Sequence, residues 1–274
     1  MNLSRWHLLL LVLSVLFCSF QEIPGSSGRI FVYFNVHYYK IQEDGKFEKI
    51  IVPMGVGNTQ EFLTLYHERE TTRVHARVCV QQFLQQWQTK MALPPAGFVN
   101  YSADPTGRHV LWLGEGIGYD YIKKVFNVST ADSFHVVSSD YAFNFGMLRY
   151  AWSHDGQWLA FGKEVKGSKE PHANTVSLVR LSTQAVEDNI LLDPDEGIEE
   201  ITWDPSSSKL AVLTCEWLRA RTISNLVIPW AWFHPAMVNS YYVYVLEPGK
   251  GVVSKVEIAD RVDYQMTQGV FWVK

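Results

Sequence analysis

The sequence predicts an all-β fold built from repeated four-stranded units behind an N-terminal export segment. Three observations predict it. The chain has 274 residues and is 47% hydrophobic and 14% aromatic, with 10 Trp, 13 Tyr and 15 Phe. Aromatic and β-branched residues suit the pleated, half-buried surface of a sheet. A tight turn followed by an apolar strand recurs about every 49 residues, and pairs of short apolar strands run between its copies. The charge balance excludes other classes. Lys plus Arg is 24 and Asp plus Glu is 28, a net charge of −4 with no basic block, so the concentrated positive footprint of a nucleic-acid binder is missing. A disordered chain is excluded by the high apolar content.

The elements follow in chain order. Arg5 and the α-amino group precede an apolar run from Leu8 to Phe20. That run has the length of a signal-peptide core, and is short for a membrane span of ~20 residues. Gly25-Ser26-Ser27-Gly28 supplies small residues for cleavage. Residues 1–27 therefore read as a signal peptide, with an uncleaved membrane anchor as the alternative. A lipoprotein signal at Cys18 is weaker, because Phe17 stands where a small residue is wanted. Export places the remaining domain, residues 29–274, in the periplasm or outside the cell. Only Cys79 and Cys215 then remain. Both sit in apolar, strand-like runs and read as buried free thiols rather than a disulfide framework. Asn100-Tyr-Ser102 and Asn127-Val-Ser129 match the glycosylation acceptor pattern, which matters only in a eukaryotic secretory pathway.

The repeat carries the fold. Its copies are Tyr101-Ser-Ala-Asp-Pro-Thr-Gly107 through Leu113, Ala151-Trp-Ser-His-Asp-Gly156 through Phe161, and Thr202-Trp-Asp-Pro-Ser-Ser-Ser207 through Leu213. Gly107 to Gly156 is 49 residues and Gly156 to Ser207 is 51. A fainter copy at Gly57 to Leu65 lies one period earlier. Asp-Gly or a Pro/Ser cluster supplies the turn geometry, and the strand after it is apolar on both faces, as for a strand packed between layers. A second hairpin follows in each unit, as in Ser177–Leu181 with Asn189–Leu192, and Tyr241–Val245 with Val252–Ile258. Four strands in about 49 residues is the size of one β-propeller blade.

Trp152-Ser-His-Asp-Gly-Gln-Trp-Leu-Ala-Phe161 resembles the W-S-x-D-G-x-x-[IL]-A-F repeat of TolB-type, WD40-like β-propellers. The same repeat occurs in the propeller domains of prolyl-oligopeptidase-type serine peptidases. The resemblance implies a propeller fold and leaves activity open, since the motif is structural punctuation. Arg29–Val52 reads as an outer hairpin turning at Glu43-Asp44-Gly45, and Tyr264–Lys274 as an inner strand. Joined, these halves and four full repeats make about five blades, with the composite blade one strand short. An incomplete ring or a truncated chain is the alternative.

The last repeat is about 20 residues too long, because Trp203 to Trp272 spans 69 residues. The excess forms an aromatic-rich insertion at 217–239, carrying Trp217, Trp230, Trp232, Phe233 and Met237. Blade order puts it between a second and a third strand, on the face of the blade-to-blade connections. Loops that run over a surface are normally polar. Three roles are open to this one: a cap on the propeller, an anchor for a protein partner, or peripheral contact with a membrane surface.

No catalytic constellation stands. There is no G-x-S-x-G elbow. His67-Glu68-Arg69-Glu70 lacks the second His of a zinc helix, although His67 and His75 could meet across a hairpin. Gly114-Glu-Gly116-Ile-Gly118 follows a strand with no helix after it to hold a phosphate. Asp193-Pro-Asp195-Glu196 supplies too few oxygens for calcium and reads as a solvated acidic turn. No metal, cofactor or catalytic residue is assigned. The expected function is an exported, non-catalytic protein-interaction scaffold in the cell envelope, with Trp217, Trp230, Trp232, Phe233 and Met237 as partner contacts. Two alternatives remain: an enzyme or small-ligand binder using the mouth of a central channel, and a regulatory propeller separated from a hydrolase domain. The channel use requires buried ionisable residues on the inner strands, which look rich in Tyr, Trp and Val.

Overall fold

A computed structural model describes residues 29–34, 37–41, 47–51, 60–93, 100–116, 119–136, 149–164, 173–219, 237–263 and 268–273. Residues 1–27, the expected signal segment, and residues 220–236 of the insertion lie outside the described residues. Among the described residues, sixteen strands form four antiparallel sheets of four strands each. Sheet I joins the two ends of the chain in the order β16 (Gln268–Val273), β1 (Arg29–Phe34), β2 (His37–Ile41) and β3 (Phe47–Ile51). Sheet II runs from β4 (Asn100–Ala103) through β5 (His109–Gly116) and β6 (Tyr119–Asn127) to β7 (Ser133–His135). Sheet III comprises β8 (Tyr150–Trp152), β9 (Trp158–Glu164), β10 (Ala173–Arg180) and β11 (Ala185–Leu191). Sheet IV comprises β12 (Glu196–Trp203), β13 (Leu210–Arg219), β14 (Met237–Glu247) and β15 (Gly251–Asp263).

Core clusters stack the sheets in chain order. Leu111 and Val125 of sheet II pack with Leu159, Phe161 and Val179 of sheet III. Ala160, Val176 and Leu178, on the other face of sheet III, meet Trp203, Leu210, Val212 and Leu246 of sheet IV. Ala211, Leu213, Tyr241 and Val243, on the far face of sheet IV, meet Ile30, Val32, Val270 and Trp272 of sheet I. Side chains alternate between faces along a strand. Strands β9 and β13 are buried on both faces, so Leu159-Ala-Phe161 and Leu210-Ala-Val-Leu213 have no polar alternate.

Two expectations change. The fainter repeat at 57–65 is no strand unit, because Gln60–Met91 form one 32-residue helix, α1. An all-β chain is thus corrected to a mostly β chain with one long helix. Its segment contains no Gly or Pro, and its apolar residues Ala76, Cys79, Val80, Phe83, Trp87 and Met91 recur at helical spacing to face Ala103, Val110 and Phe126 of sheet II. The helix ends in a Schellman-type closure. Ala92 takes a left-handed φ of 50°, and the Leu93 N–H donates to the Gln88 carbonyl at 3.0 Å. Helix α1 therefore occupies the place beside sheet II that a further sheet was expected to fill. The second change concerns sheet I. It has its full four strands, because β2 lies between the two strands expected to form a hairpin. His-Tyr-Tyr-Lys-Ile at 37–41 lacks the apolar signature that marks the other strands.

The three strong repeats superimpose chemically. Each turn opens on a buried polar side chain that accepts two backbone N–H groups. Asp104 Oδ1 accepts Arg108 N at 2.8 Å and His109 N at 3.2 Å. Ser153 Oγ accepts Gln157 N at 3.1 Å and Trp158 N at 2.9 Å. Asp204 Oδ1 accepts Ser208 N at 2.6 Å and Lys209 N at 2.7 Å. Gly107, Gly156 and Ser207 fill the left-handed position at φ 71°, 64° and 62°. Adjacent turns also key into one another. The Arg108 guanidinium donates to the Asp155 carbonyl at 2.9 Å, and Asp155 N donates to Ser207 Oγ at 3.1 Å. Burial opposes ionisation of Asp104, yet the hydrogen bonds from His109, Thr106 and the backbone outweigh it and hold the carboxyl below the usual carboxylate range.

Gly156→Ala is expected to be the costliest glycine substitution of the set. Its new Cβ would stand 2.6 Å from Asp104 Oδ2, adding about 1–3 kcal/mol of overpacking to the ~1 kcal/mol of left-handed strain. Gly249→Ala, with nothing within 4 Å, should lose only the strain, and urea unfolding distinguishes the two. Asp104 has a depressed pKa, so its stabilisation is present above about pH 4 and disappears as pH falls through its folded value. The stability deficit of Asp104→Asn should therefore be largest near pH 7 and shrink in acid. A deficit constant from pH 7 to below the carboxylate range would contradict the assignment.

Candidate functional site

The two ends of the sheet stack differ in kind. The keyed turns at 104–109, 153–158 and 204–209 lie at one end, together with the β10–β11 and β14–β15 turns. The opposite end collects the sheet-to-sheet connections and the links from second to third strand. At that end β13 and β14 stay paired out to Arg219 and Met237. Trp217 pairs with Asn239 within this hairpin. Trp217 and Met237 thus sit in the base of the insertion, whereas Trp230, Trp232 and Phe233 lie outside the described residues.

Next to that base, sheet IV turns a polar surface toward sheet III. Thr214 and Glu216 continue the face that carries Leu210 and Val212 nearer the keyed turns. Glu196, only 2% exposed, accepts the Thr214 hydroxyl at 2.5 Å through Oε2 and Lys255 Nζ at 2.5 Å through Oε1. The Lys255 ammonium lies 3.7 Å from Asp193, and 4.3 Å and 5.1 Å from the ring centres of Tyr242 and Tyr244. The Tyr242 hydroxyl donates to Glu216 at 3.1 Å. Burial and Glu216 push the Tyr242 phenol up to about 12. Burial likewise pushes Tyr244 up to about 12, against the pull of Lys255. Burial works against the Lys255 charge, but Glu196 and Tyr244 more than compensate and raise its pKa. In the acidic run at 193–196, Asp193, Pro194 and Asp195 form the solvated turn expected, and Glu196 departs from it by being buried. That glutamate is the buried partner of a lysine 59 residues away in the chain.

A second polar group lies on the inner strands. Arg149, just before β8, reaches Glu199 of β12 at 3.2 Å. Burial raises the Glu199 pKa, and the arginine opposes the shift. The neighbouring Glu200 accepts the Val270 N–H of β16 at 2.9 Å. Successive strand residues face opposite sides, so these consecutive glutamates reach toward different neighbouring sheets. The inner strands thus carry ionisable groups that sequence reasoning passed over, although Glu199-Glu200 between two isoleucines was the visible signal.

The remaining candidates resolve plainly. His67 and His75 lie on one helix rather than across a hairpin, and His75 Nε2 approaches Cys79 Sγ at 3.5 Å. Cys79 and Cys215 are buried free thiols, and burial raises the pKa of both, so neither is an activated nucleophile. Gly116 pairs with Tyr119 across a β-hairpin. Among the described residues, no group of three or more His, Cys, Asp and Glu is placed to hold a metal ion, and no helix is long and apolar enough to cross a membrane.

No family model and no curated protein matches the sequence. Solved structures similar to it include an acylaminoacyl peptidase, at 16% identity and a TM-score of 0.39, over 58% of this chain and 25% of that one. TolB from Acinetobacter baumannii matches at 13% identity and a TM-score of 0.34, over 93% of this chain and 47% of that one. The RRP9 WD40 repeats match at 11% identity and a TM-score of 0.34, over 60% and 42%. The chain spans a quarter to a half of the length of these structures.

Lys255→Met leaves Glu196 buried with one partner fewer and should cost about 1–3 kcal/mol. Adding Glu196→Gln removes the stranded charge, so the double variant should unfold at higher urea than Lys255→Met alone. A double variant no better than the single one would show that the ion pair does not hold this surface together.

Proposed function

We propose that the protein is an exported, non-catalytic propeller-type scaffold that recognises a protein partner through the end carrying its insertion. The supporting observation is the hairpin base. Strands β13 and β14 pair out to Arg219–Met237, so the aromatic segment beyond them is delivered from an ordered stalk at the end where the sheet connections gather. The Glu196–Lys255 network stiffens the sheet beside that stalk. Recognition in this scheme needs no chemistry from the scaffold. Rigid sheets present an aromatic anchor whose burial drives binding, and aromatic side chains dominate such contacts. Trp230, Trp232 and Phe233 are the proposed anchors, with Trp217 and Met237 at the base. Helix α1 packs beside sheet II, and the apolar Leu8–Phe20 run is the proposed export signal.

Use of the channel mouth by a small ligand is the second function considered, and Arg149, Glu199 and Glu200 favour it. Glu199 and Glu200 are ionisable groups on the inner strand β12, as such a site needs, and they bond Arg149 and the Val270 N–H of the neighbouring sheets.

Affinity capture from native envelope extracts separates the two. Replacing residues 221–235 with a short glycine-containing turn keeps the Arg219–Met237 pair and should abolish capture of the partner without moving the unfolding midpoint. Trp232→Ala alone should weaken binding by at least about tenfold. Full capture by the loop-replaced protein would overturn the scaffold assignment. Loss of capture with Glu200→Gln alone would favour the channel.

A further inference from the structure

We propose that the N-terminal half of helix α1 is a strap that crosses the central axis at the end of the keyed turns and bars the channel there, leaving the insertion end as its open mouth. The inference rests on the propeller reading, in which the first strands β4, β8, β12 and β16 surround an axis. Those strands do meet. Strand β12 touches both β8 and β16, and Trp152 Nε1 of β8 donates to Ser102 of β4 at 3.2 Å.

The C-terminal half of the helix fixes its course. A Cβ on Gly107, in the turn from β4 to β5, would stand 2.9 Å from Cys79 Sγ and 3.9 Å from His75 Nε2. One helical turn further, the Phe83 ring lies 5.4 Å from Phe126 of β6. Trp87 Nε1 then donates to the Val128 carbonyl, in the turn from β6 to β7, at 3.0 Å. Rising residue number thus carries α1 from the inner edge of sheet II to its outer edge, along the keyed turns. Cys79 to Trp87 is about 12 Å of helix and covers two strand spacings of about 5 Å each, so the helix runs nearly square to the strands. Followed toward its N-terminus, it leaves the sheet past β4, on the side of the axis. Residues 60–74 belong to the same helix and add ~22 Å. Stacked sheets lie only ~10 Å apart, so this overhang is long enough to pass the axis and reach the turns beyond it. Kinks arise mostly at Pro or Gly, and Gln60–Met91 contains neither. A small ligand held by Glu199 and Glu200 then has one way in, from the insertion end beside the Arg219–Met237 stalk.

Double electron–electron resonance between spin labels tests this on the full chain, with Cys18→Ser and the buried Cys79 and Cys215 left in place. Ser206 is exposed in the keyed turn of sheet IV. Labels on Glu61→Cys and Ser206→Cys should lie within about 25 Å if the helix crosses the axis, and beyond about 35 Å if it projects clear of the sheets. His154→Cys, exposed in the sheet III turn, reports the same crossing if Ser206→Cys disturbs its turn. A second pair, Thr106→Cys with Arg29→Cys, reads the ring itself. An open stack holds sheets II and I three spacings apart, about 30 Å, and a closed ring brings them nearer. A long helix distance with a short second one would overturn the strap and leave the ring standing. A long second distance, whatever the first, would show an open stack with no channel to bar, and would overturn both.

Discussion

A buried polar cap at the start of each turn organises the sheet stack. Asp104, Ser153 and Asp204 are all withdrawn from water, and each would be costly to bury if its acceptor were left unpaired. Each is satisfied by two backbone N–H groups that only one loop shape can present. The cap therefore fixes the turn, the turn fixes the register of the two strands it joins, and register decides which side chains enter which core. Neighbouring turns are then bonded to each other, from Arg108 to the Asp155 carbonyl and from Asp155 N to Ser207. A local rule of hydrogen-bond satisfaction thus becomes a rule for sheet spacing. Indole groups reinforce it higher in the stack. Trp152 Nε1 donates to Ser102 at 3.2 Å, and Trp203 Nε1 to the Ala151 carbonyl at 3.0 Å.

Helix α1 obeys the same constraint without being a sheet. At Gly156, the close neighbours are Asp104 and Thr106 of the preceding turn. At Gly107, they are Cys79 and His75 of the helix. The helix thus stands in for a preceding sheet twice over, in the core against Phe126, where the Phe83 and Phe126 rings lie 5.4 Å apart, and at the turn beneath Gly107. That substitution was hard to foresee. Gly57 to Leu65 copies the repeat faintly, and Val78-Cys79-Val80 has the β-branched look of a strand. Spacing over a longer window decides otherwise, because helical burial of Ala76, Cys79, Phe83 and Trp87 satisfies four positions that no alternating pattern would.

What could be read from the chain was what is local. Turns announced themselves because Asp-Pro-Thr-Gly and Ser-His-Asp-Gly carry their geometry in consecutive residues. The insertion announced itself through length, 69 residues between Trp203 and Trp272 against a period near 49. Strand β2 did not, because Tyr38, Tyr39 and Lys40 lack an apolar pattern and their pairing comes from flanking strands. The polar surface beside the insertion was equally hidden. Glu196 looked like one acid in an acidic run, and nothing in the sequence singled out Lys255 within the Val252–Ile258 strand. Only strand order brings the two together.

The two ends of the stack divide the work between specification and variation. At the keyed end, a change in one loop disturbs its own hydrogen bonds and those of its neighbour, so length and sequence are held near one solution. At the opposite end, the stretches of sequence between second and third strands range from two residues between Gly116 and Tyr119 to 17 between Arg219 and Met237. Loop closure entropy rises only slowly with length, so a paired stalk can carry a long segment at small cost to folding. Sheet IV is the sheet best able to do so. Its β13–β14 hairpin is buried on both faces along Leu210–Leu213 and Val243–Leu246, and the Glu196–Lys255 bridge ties its first strand to its last. The paired base of the insertion, out to Arg219 and Met237, therefore belongs to a sheet braced from its first strand to its last.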